Sequence, residues 1–297
     1  MTPRALLAAL FTIVVWASLA LLTDRVSHVP PLVSSGLALF VGGLVGGGLR
    51  PHAWRAQPRA YAVGVGGLFG YHALLFAAFG LAPAVEVNLL QYLWPLLIVL
   101  LTPVFLPGNR LGVNHVLSAV LGFGGAVLIL GGEKFSISSE HALGYLSAIA
   151  AAFVWAGYSL GCRRMPSFPT AAIGACCLMA GAASILLHLA LFGSAGLLGL
   201  SGSDLALIAG LGLGPMGLAF LTWDIALKYG DPRAVGALAY LTPLLSTILL
   251  IVVNGHHFGP ATGFAAAAIL SGALLGNLRW PMLARFLPRR SAASAPP

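Results

Sequence analysis

Ten stretches of roughly twenty mostly apolar residues run through this 297-residue chain, each closed off by charge, proline or glycine: 5–23, 31–49, 60–80, 84–106, 112–131, 142–161, 169–192, 204–227, 234–253 and 260–283. About twenty apolar residues is the length at which a helix crosses the hydrocarbon layer of a bilayer, and a helix satisfies its backbone polar groups within the segment. The expectation is an all-α polytopic membrane protein with ten transmembrane helices. The connections are too short to fold alone. Composition agrees, because only 15 basic and 7 acidic residues are present, whereas a soluble domain carries about a quarter of its residues charged. A disordered chain would need low hydrophobicity and high net charge, and three cysteines cannot frame a disulfide-rich scaffold.

The opening segment, with Arg4 and the small-residue run Ala17-Ser18-Leu19-Ala20, has some features of a secretory signal. It is read as the first span, since the same kind of segment recurs in mid-chain. The two lysines, Lys134 and Lys228, follow Glu133 and Leu227, so neither completes a nucleotide-binding P-loop. No cofactor is expected, and pumping must draw on a gradient or on an ATPase of another chain.

Orientation follows from the basic residues, because Lys and Arg accumulate in cytoplasmic loops. With the N-terminus inside, Arg4, Arg50, Arg55, Arg59, Arg110, Arg163, Arg164, Lys228, Arg233, Arg279, Arg285, Arg289 and Arg290 all fall on the inner face, and only Arg25 and Lys134 fall outside. Both termini are therefore expected in the cytoplasm of a bacterial-type inner membrane. The net charge of +8 marks that face and implies no nucleic-acid partner.

The two halves repeat. Val15-Trp16-Ala17 matches Val154-Trp155-Ala156, and Tyr92-Leu93-Trp94-Pro95-Leu96-Leu97 matches Tyr240-Leu241-Thr242-Pro243-Leu244-Leu245, each pair five spans apart. Five is odd, so the copies run in opposite directions. Residues 1–139 form a first five-helix repeat, residues 140–288 an inverted second repeat and residues 289–297 a disordered cytoplasmic tail. Inverted repeats occur in secondary transporters, where alternating access is built around a midplane site.

Ten spans, short loops and the repeated Tyr-Leu-X-Pro-Leu-Leu segment resemble the drug/metabolite transporter superfamily in its ten-helix EamA-type branch. Glu86-Val87-Asn88 ahead of Tyr92-Leu93-Trp94-Pro95, Gly70-Tyr71-His72 before it and Leu221-Thr222-Trp223-Asp224 later are similar to the YddG-type aromatic amino-acid exporters. The resemblance implies a central cavity walled by the first, third, fourth, sixth, eighth and ninth helices, and export of amino acids and related metabolites. It departs at His72, where the related chains carry a carboxylate, so no proton-coupling role is carried over.

The residues themselves point the same way. Asn88, Gln91, Tyr92 and Pro95 fall at i, i+3, i+4 and i+7 on the fourth span, and Trp155, Tyr158 and Ser159 at i, i+3 and i+4 on the sixth; lipid offers such stripes no hydrogen-bond partner. An interfacial belt accounts for Trp54 and Trp280 but not for Tyr71, Trp94, Trp155 or Tyr158, which lie inside their spans. Trp16, Tyr71, His72, Asn88, Gln91, Tyr92, Trp94, Trp155, Tyr158, Ser159, Trp223 and Tyr240 are the candidate substrate contacts. His72 would titrate near neutral pH in water, but a lone intramembrane histidine is more often a hydrogen-bonded packing residue than a proton carrier; both readings put it in the cavity. Pro95 and Pro243 break the helical ladder at symmetric positions and are candidate hinges. Glu86 stands at the outer mouth of its span, and Asp224, four residues before Lys228, is either one half of a snorkelling ion pair or part of an inner gate or a proton site.

Such a cavity suits an amphiphilic amino acid, aromatic or otherwise apolar. A phosphorylated cargo fits poorly, since no span has Lys or Arg near its centre. A broad drug or metabolite exporter is the alternative within the class. Gly199-Leu200-Ser201-Gly202 offers a distant one, an intramembrane serine protease. Gly212-Leu213-Gly214-Pro215-Met216-Gly217 fits the dinucleotide glycine pattern but lacks a preceding strand. Neither His256-His257 nor Cys176-Cys177 has partners at metal-ligand spacing. Gly42-x-x-x-Gly46 and Gly43-x-x-x-Gly47 permit close helix packing, within a monomer or across a weak homodimer.

Overall fold

A computed structural model describes residues 1–131, 138–165, 168–254 and 260–277. The expected cytoplasmic tail, Trp280 and the His256-His257 pair lie outside the described residues. Among the described residues every regular element is helical: α1 (Pro3–Ala17), α2 (Leu19–Arg25), α3 (Pro31–Val45), α4 (Pro58–Leu81), α5 (Ala84–Gln91), α6 (Leu93–Phe105), α7 (Val113–Gly131), α8 (Ala142–Arg164), α9 (Ala172–Phe192), α10 (Gly202–Leu213), α11 (Ala219–Tyr229), α12 (Pro232–Ala239), α13 (Leu241–Asn254) and α14 (Pro260–Asn277), with short 3-10 turns between some of them. Among the described residues, eight stretches are long and apolar enough to cross a membrane, and Pro31–Val45 and Thr262–Asn277 are shorter apolar helices. The outward-facing leucines and phenylalanines, such as Leu143, Phe153 and Phe264, are heavily exposed, as lipid-facing side chains should be.

Four stretches expected as single rods are broken. The first divides at Ser18, where the hydroxyl bonds back to the Val15 carbonyl at 2.7 Å. The fourth divides at Tyr92 and the ninth at Tyr240. Both breaks lie three residues ahead of a proline, and the cause is chemical: Pro95 and Pro243 bring no N–H to the carbonyls of Gln91 and Ala239. The eighth carries a π-helical turn over Gly214–Leu218, where Pro215 likewise offers no donor. The prolines therefore act at the helix starts that follow the breaks, rather than as mid-helix kinks.

Close packing explains the glycines of α3. A Cβ on Gly42 would sit 2.9 Å from the Gly217 Cα and collide with the Met216 carbonyl, and one on Gly43 would lie 2.7 Å from the Leu178 backbone nitrogen. The small-residue face is thus used inside the chain, bringing α3 against α9 and the π turn. Gly47, at φ 76, then turns the chain out of α3 in a conformation that disfavours a side chain.

Asp204 belongs to the first turn of α10. Ser201 caps that helix, accepting from the Asp204 N–H at 3.2 Å, while the Asp204 carboxylate accepts from the Ser201 N–H at 2.9 Å and from its hydroxyl at 2.7 Å. This capping box gives Ser201 a structural task, its hydroxyl donating to the Asp204 carboxylate and accepting from the Asp204 N–H.

Candidate functional site

The broken helices converge on a cavity of about 560 Å³. Its floor is aromatic. Trp16 from α1, Trp94 from α6 and Trp155 from α8 meet with ring centroids 5.9, 5.8 and 6.2 Å apart, all edge-on. Trp223 from α11 closes the cluster from beneath, 5.2 Å from Trp16 and 5.5 Å from Trp94, and Phe220 packs 5.4 Å from Trp155. Edge-on ring pairs of this kind add about 0.5–1.5 kcal/mol each beyond area burial, so the floor is a stiff plate.

Each indole is aimed by a specific contact or left free. The Trp16 N–H donates to the Pro215 carbonyl at 3.0 Å, a group the π turn releases from the helical ladder. The Trp223 N–H donates to the Ser159 hydroxyl at 3.0 Å. Trp155 differs: it is 3% exposed, and its N–H has no partner among the described residues. The Thr242 hydroxyl, also on the cavity wall, is likewise buried and unpartnered. Leaving such groups unsatisfied costs about 1–3 kcal/mol each, which a polar group on a bound molecule would recover.

The walls are mixed. The Tyr71 hydroxyl donates to the Gln91 amide oxygen at 3.0 Å, and its ring lies 4.9 Å from Trp155. His72 holds the Leu68 carbonyl at 2.6 Å through Nδ1 and packs edge-on against Tyr71 at 5.0 Å. Asn88, Gln91 and Tyr92 all reach the cavity from α5 and its end. Asp24 and Ser27 line the mouth and are exposed, and Ala84 at the start of α5 completes its rim. The cavity is therefore open at the end that carries the close of α2 and the start of α5.

The opposite end is shut. Below the floor α1 lies along α11, with the Thr12 and Thr222 hydroxyls 2.6 Å apart. Further on, the Thr2 hydroxyl donates to the Tyr229 carbonyl at 3.1 Å and Arg4 sits 4.4 Å over the Tyr229 ring. Between α11 and the segment before α9, Lys228 Nζ reaches Asp224 Oδ2 at 2.6 Å, the Phe168 carbonyl at 2.6 Å and the Thr170 hydroxyl at 3.3 Å. Thr170 also donates to Asp224 Oδ2 at 2.6 Å.

Of the expected contacts, Trp16, Tyr71, His72, Asn88, Gln91, Tyr92, Trp94 and Trp155 line the cavity. Tyr158, Ser159 and Trp223 lie beneath or behind its floor, the Tyr158 ring 5.3 Å from Trp155. Tyr240 stands apart, wholly buried in a separate cluster with Ala126, Leu244 and Ile269. Pro95 and Pro243 are buried at the helix starts after the breaks, and Asp224 sits in the closed end. Glu86 is 3% exposed in the first turn of α5, where a carboxylate complements the positive end of the helix dipole. Met216, Phe220, Thr242 and Ser246 also line the wall, and sequence reasoning missed all four. For Thr242 a signal existed, since it is the repeat-mate of Trp94.

Residues 3–131 and 142–278 each match the EamA-like transporter family. The chain is 40% identical over 282 residues to a protein of Ancylobacter novellus described as an aromatic amino acid exporter YddG, covering 92% of this chain and 97% of that one. It is 28% identical to a probable terminal-alkyne amino-acid exporter of Streptantibioticus cattleyicolor, covering 99% and 98%. A solved crystal structure matches with a TM-score of 0.87 at 40% identity, covering 96% of this chain and 98% of the other.

Proposed function

Because the chain belongs to the EamA-like transporter family, a family of multi-pass membrane carriers, we propose that it exports amino acids, preferring aromatic and other apolar side chains, by alternating access across the inner membrane. The observation that carries this reading is the indole floor with the spare Trp155 N–H above it. A flat apolar plate suits a ring or an aliphatic side chain, and the few polar groups nearby, Trp155 Nε1, the Thr242 hydroxyl and the Asn88 and Gln91 amides, suit a small polar head. Among the described residues, none that lines the cavity is Lys or Arg, which disfavours phosphorylated cargo.

Ten spans arranged as residues 1–139 and an inverted 140–288 support the same mechanism, with both termini inside. The separate matches of the two halves to one family favour that division. In that orientation the open mouth at Asp24 and Ala84 faces outward, and the α1–α11 seam with the Asp224–Lys228 pair forms the closed inner gate. Substrate-binding roles fall to Trp16, Tyr71, His72, Asn88, Gln91, Tyr92, Trp94 and Trp155, with Trp223 and Ser159 supporting the floor from below.

Purified protein in liposomes without ATP should take up labelled phenylalanine or leucine, with unlabelled apolar amino acids competing. Absence of uptake for every amino acid, together with uptake of cationic drugs, would replace this reading with that of a broad drug exporter.

A further inference from the structure

Tyr240 resembles its repeat-mate Tyr92 in sequence and differs from it in everything it touches. Its ring is 0% exposed and lies so close to α7 that a Cβ on Gly122 would stand 2.8 Å from its Cγ. Its hydroxyl reaches into the break between α5 and α6, accepting from the Leu96 N–H at 3.1 Å and donating to the Tyr92 carbonyl at 3.3 Å. In an uninterrupted helix the Leu96 N–H would bond to that same carbonyl, four residues back. The Tyr240 hydroxyl thus bridges the donor and the acceptor of one helical step, and a side chain inserted into the ladder is a recognised cause of a sharp bend. Tyr92 faces the cavity, and its hydroxyl has no hydrogen-bond partner among the described residues.

The repeat aligns residue 92 with 240 and residue 96 with 244. We propose that Tyr240 is a positioning residue that pins the α5–α6 corner while the cavity is open at the Asp24 end, and that in the opposite state Tyr92 takes over the reciprocal task, its hydroxyl bridging the Leu244 N–H and the Tyr240 carbonyl. Each state then uses one tyrosine as a pin and turns the other toward the cargo. The pinned corner carries Asn88, Gln91 and Trp94 into the cavity, so the pin fixes the wall as well as the state. Exchange between states consumes two hydrogen bonds and makes two, which keeps the two conformations close in energy without a charged group at the midplane. This rests on the alternating-access reading and adds the atoms that bias it.

The test is a ratio of states measured without any substrate. Spin labels on Ser27→Cys and Leu81→Cys, both exposed near the mouth, report mouth width, while Cys162, Cys176 and Cys177 are buried and label poorly. Removing a hydroxyl that makes two hydrogen bonds shifts a two-state ratio by about fivefold to a hundredfold. Tyr240→Phe should lower the ratio of open to closed mouth by a factor in that range, Tyr92→Phe should raise it, and the double variant should return toward the parent. Gly122→Ala, which crowds the Tyr240 ring and leaves its hydroxyl intact, should act in the same direction as Tyr240→Phe and serves if the latter folds poorly. An unchanged ratio in both Tyr240→Phe and Gly122→Ala, or a shift of Tyr240→Phe and Tyr92→Phe in the same direction, overturns the proposal. Amino-acid uptake is measured separately, so a wrong cargo and a wrong pin fail in different assays.

Discussion

Replacing Lys228 by Met tests the closed end most directly. The Asp224 side chain is 3% accessible and its Oδ2 receives two short contacts, from Lys228 Nζ and from the Thr170 hydroxyl, both at 2.6 Å. The substitution leaves the carboxylate buried with one neutral donor. Breaking a buried pair by removing one partner costs about 3–5 kcal/mol, whereas replacing both partners with neutral groups is often close to neutral. Lys228 is 18% accessible and keeps the Phe168 carbonyl, so Asp224→Asn should cost less, about 1–3 kcal/mol. The double variant Asp224→Asn with Lys228→Met should recover most of the loss of Lys228→Met alone. Unfolding titrated with a denaturing detergent in micelles gives the three values and their coupling. A Lys228→Met cost below about 1 kcal/mol, with no coupling to Asp224, would mean that water reaches the carboxylate and that the pair does not seal this end.

Three further outcomes are expected. Trp155→Ala should abolish most amino-acid uptake, while Trp155→Phe, which keeps an aromatic surface and deletes the spare N–H, should weaken apparent affinity more than maximal rate; equal effects of the two would remove the role of the N–H. Gly42→Ala should destabilise the fold by about 1–3 kcal/mol as an overpacking change, read by the same titration, because the new methyl meets the backbone of Met216 and Gly217 rather than a movable side chain. The Asp231 carboxyl is pushed up by burial, but hydrogen bonds and charge from Arg233 outweigh this and hold it below the usual carboxylate range. Its stabilising contribution is therefore present above the ordinary aspartate value and is lost as pH falls through the lowered one, so Asp231→Asn should destabilise at pH 7 and have a smaller effect near pH 3.

Much of the frame could be read from residue chemistry. Apolar length marked the membrane helices, and the prolines of the repeated segment marked where two of them break, because a missing N–H is a local property. The Asp224–Lys228 pair followed from a spacing of four. Cavity membership was harder. Tyr92 and Tyr240 occupy matching positions in sequence, yet one lines the cavity and the other fills a helix break, because the neighbours that surround a side chain are set by packing and not by its position in a repeat. Met216 and Phe220 in the wall and the Thr12–Thr222 contact carry no mark in composition or period. They arise where the π turn rotates the following helix, a tertiary outcome that no window of sequence reports.

The floor of the cavity also makes the protein its own optical probe. Four of the six tryptophans, Trp16, Trp94, Trp155 and Trp223, sit within 6.2 Å of one another in linked pairs, close enough for excitation to migrate among them before emission. Intrinsic fluorescence is then weighted toward one place in the molecule. A ring stacking on that plate, or water entering as the plate parts, would change colour and intensity together, so the filling and opening of the cavity can be followed in unlabelled protein.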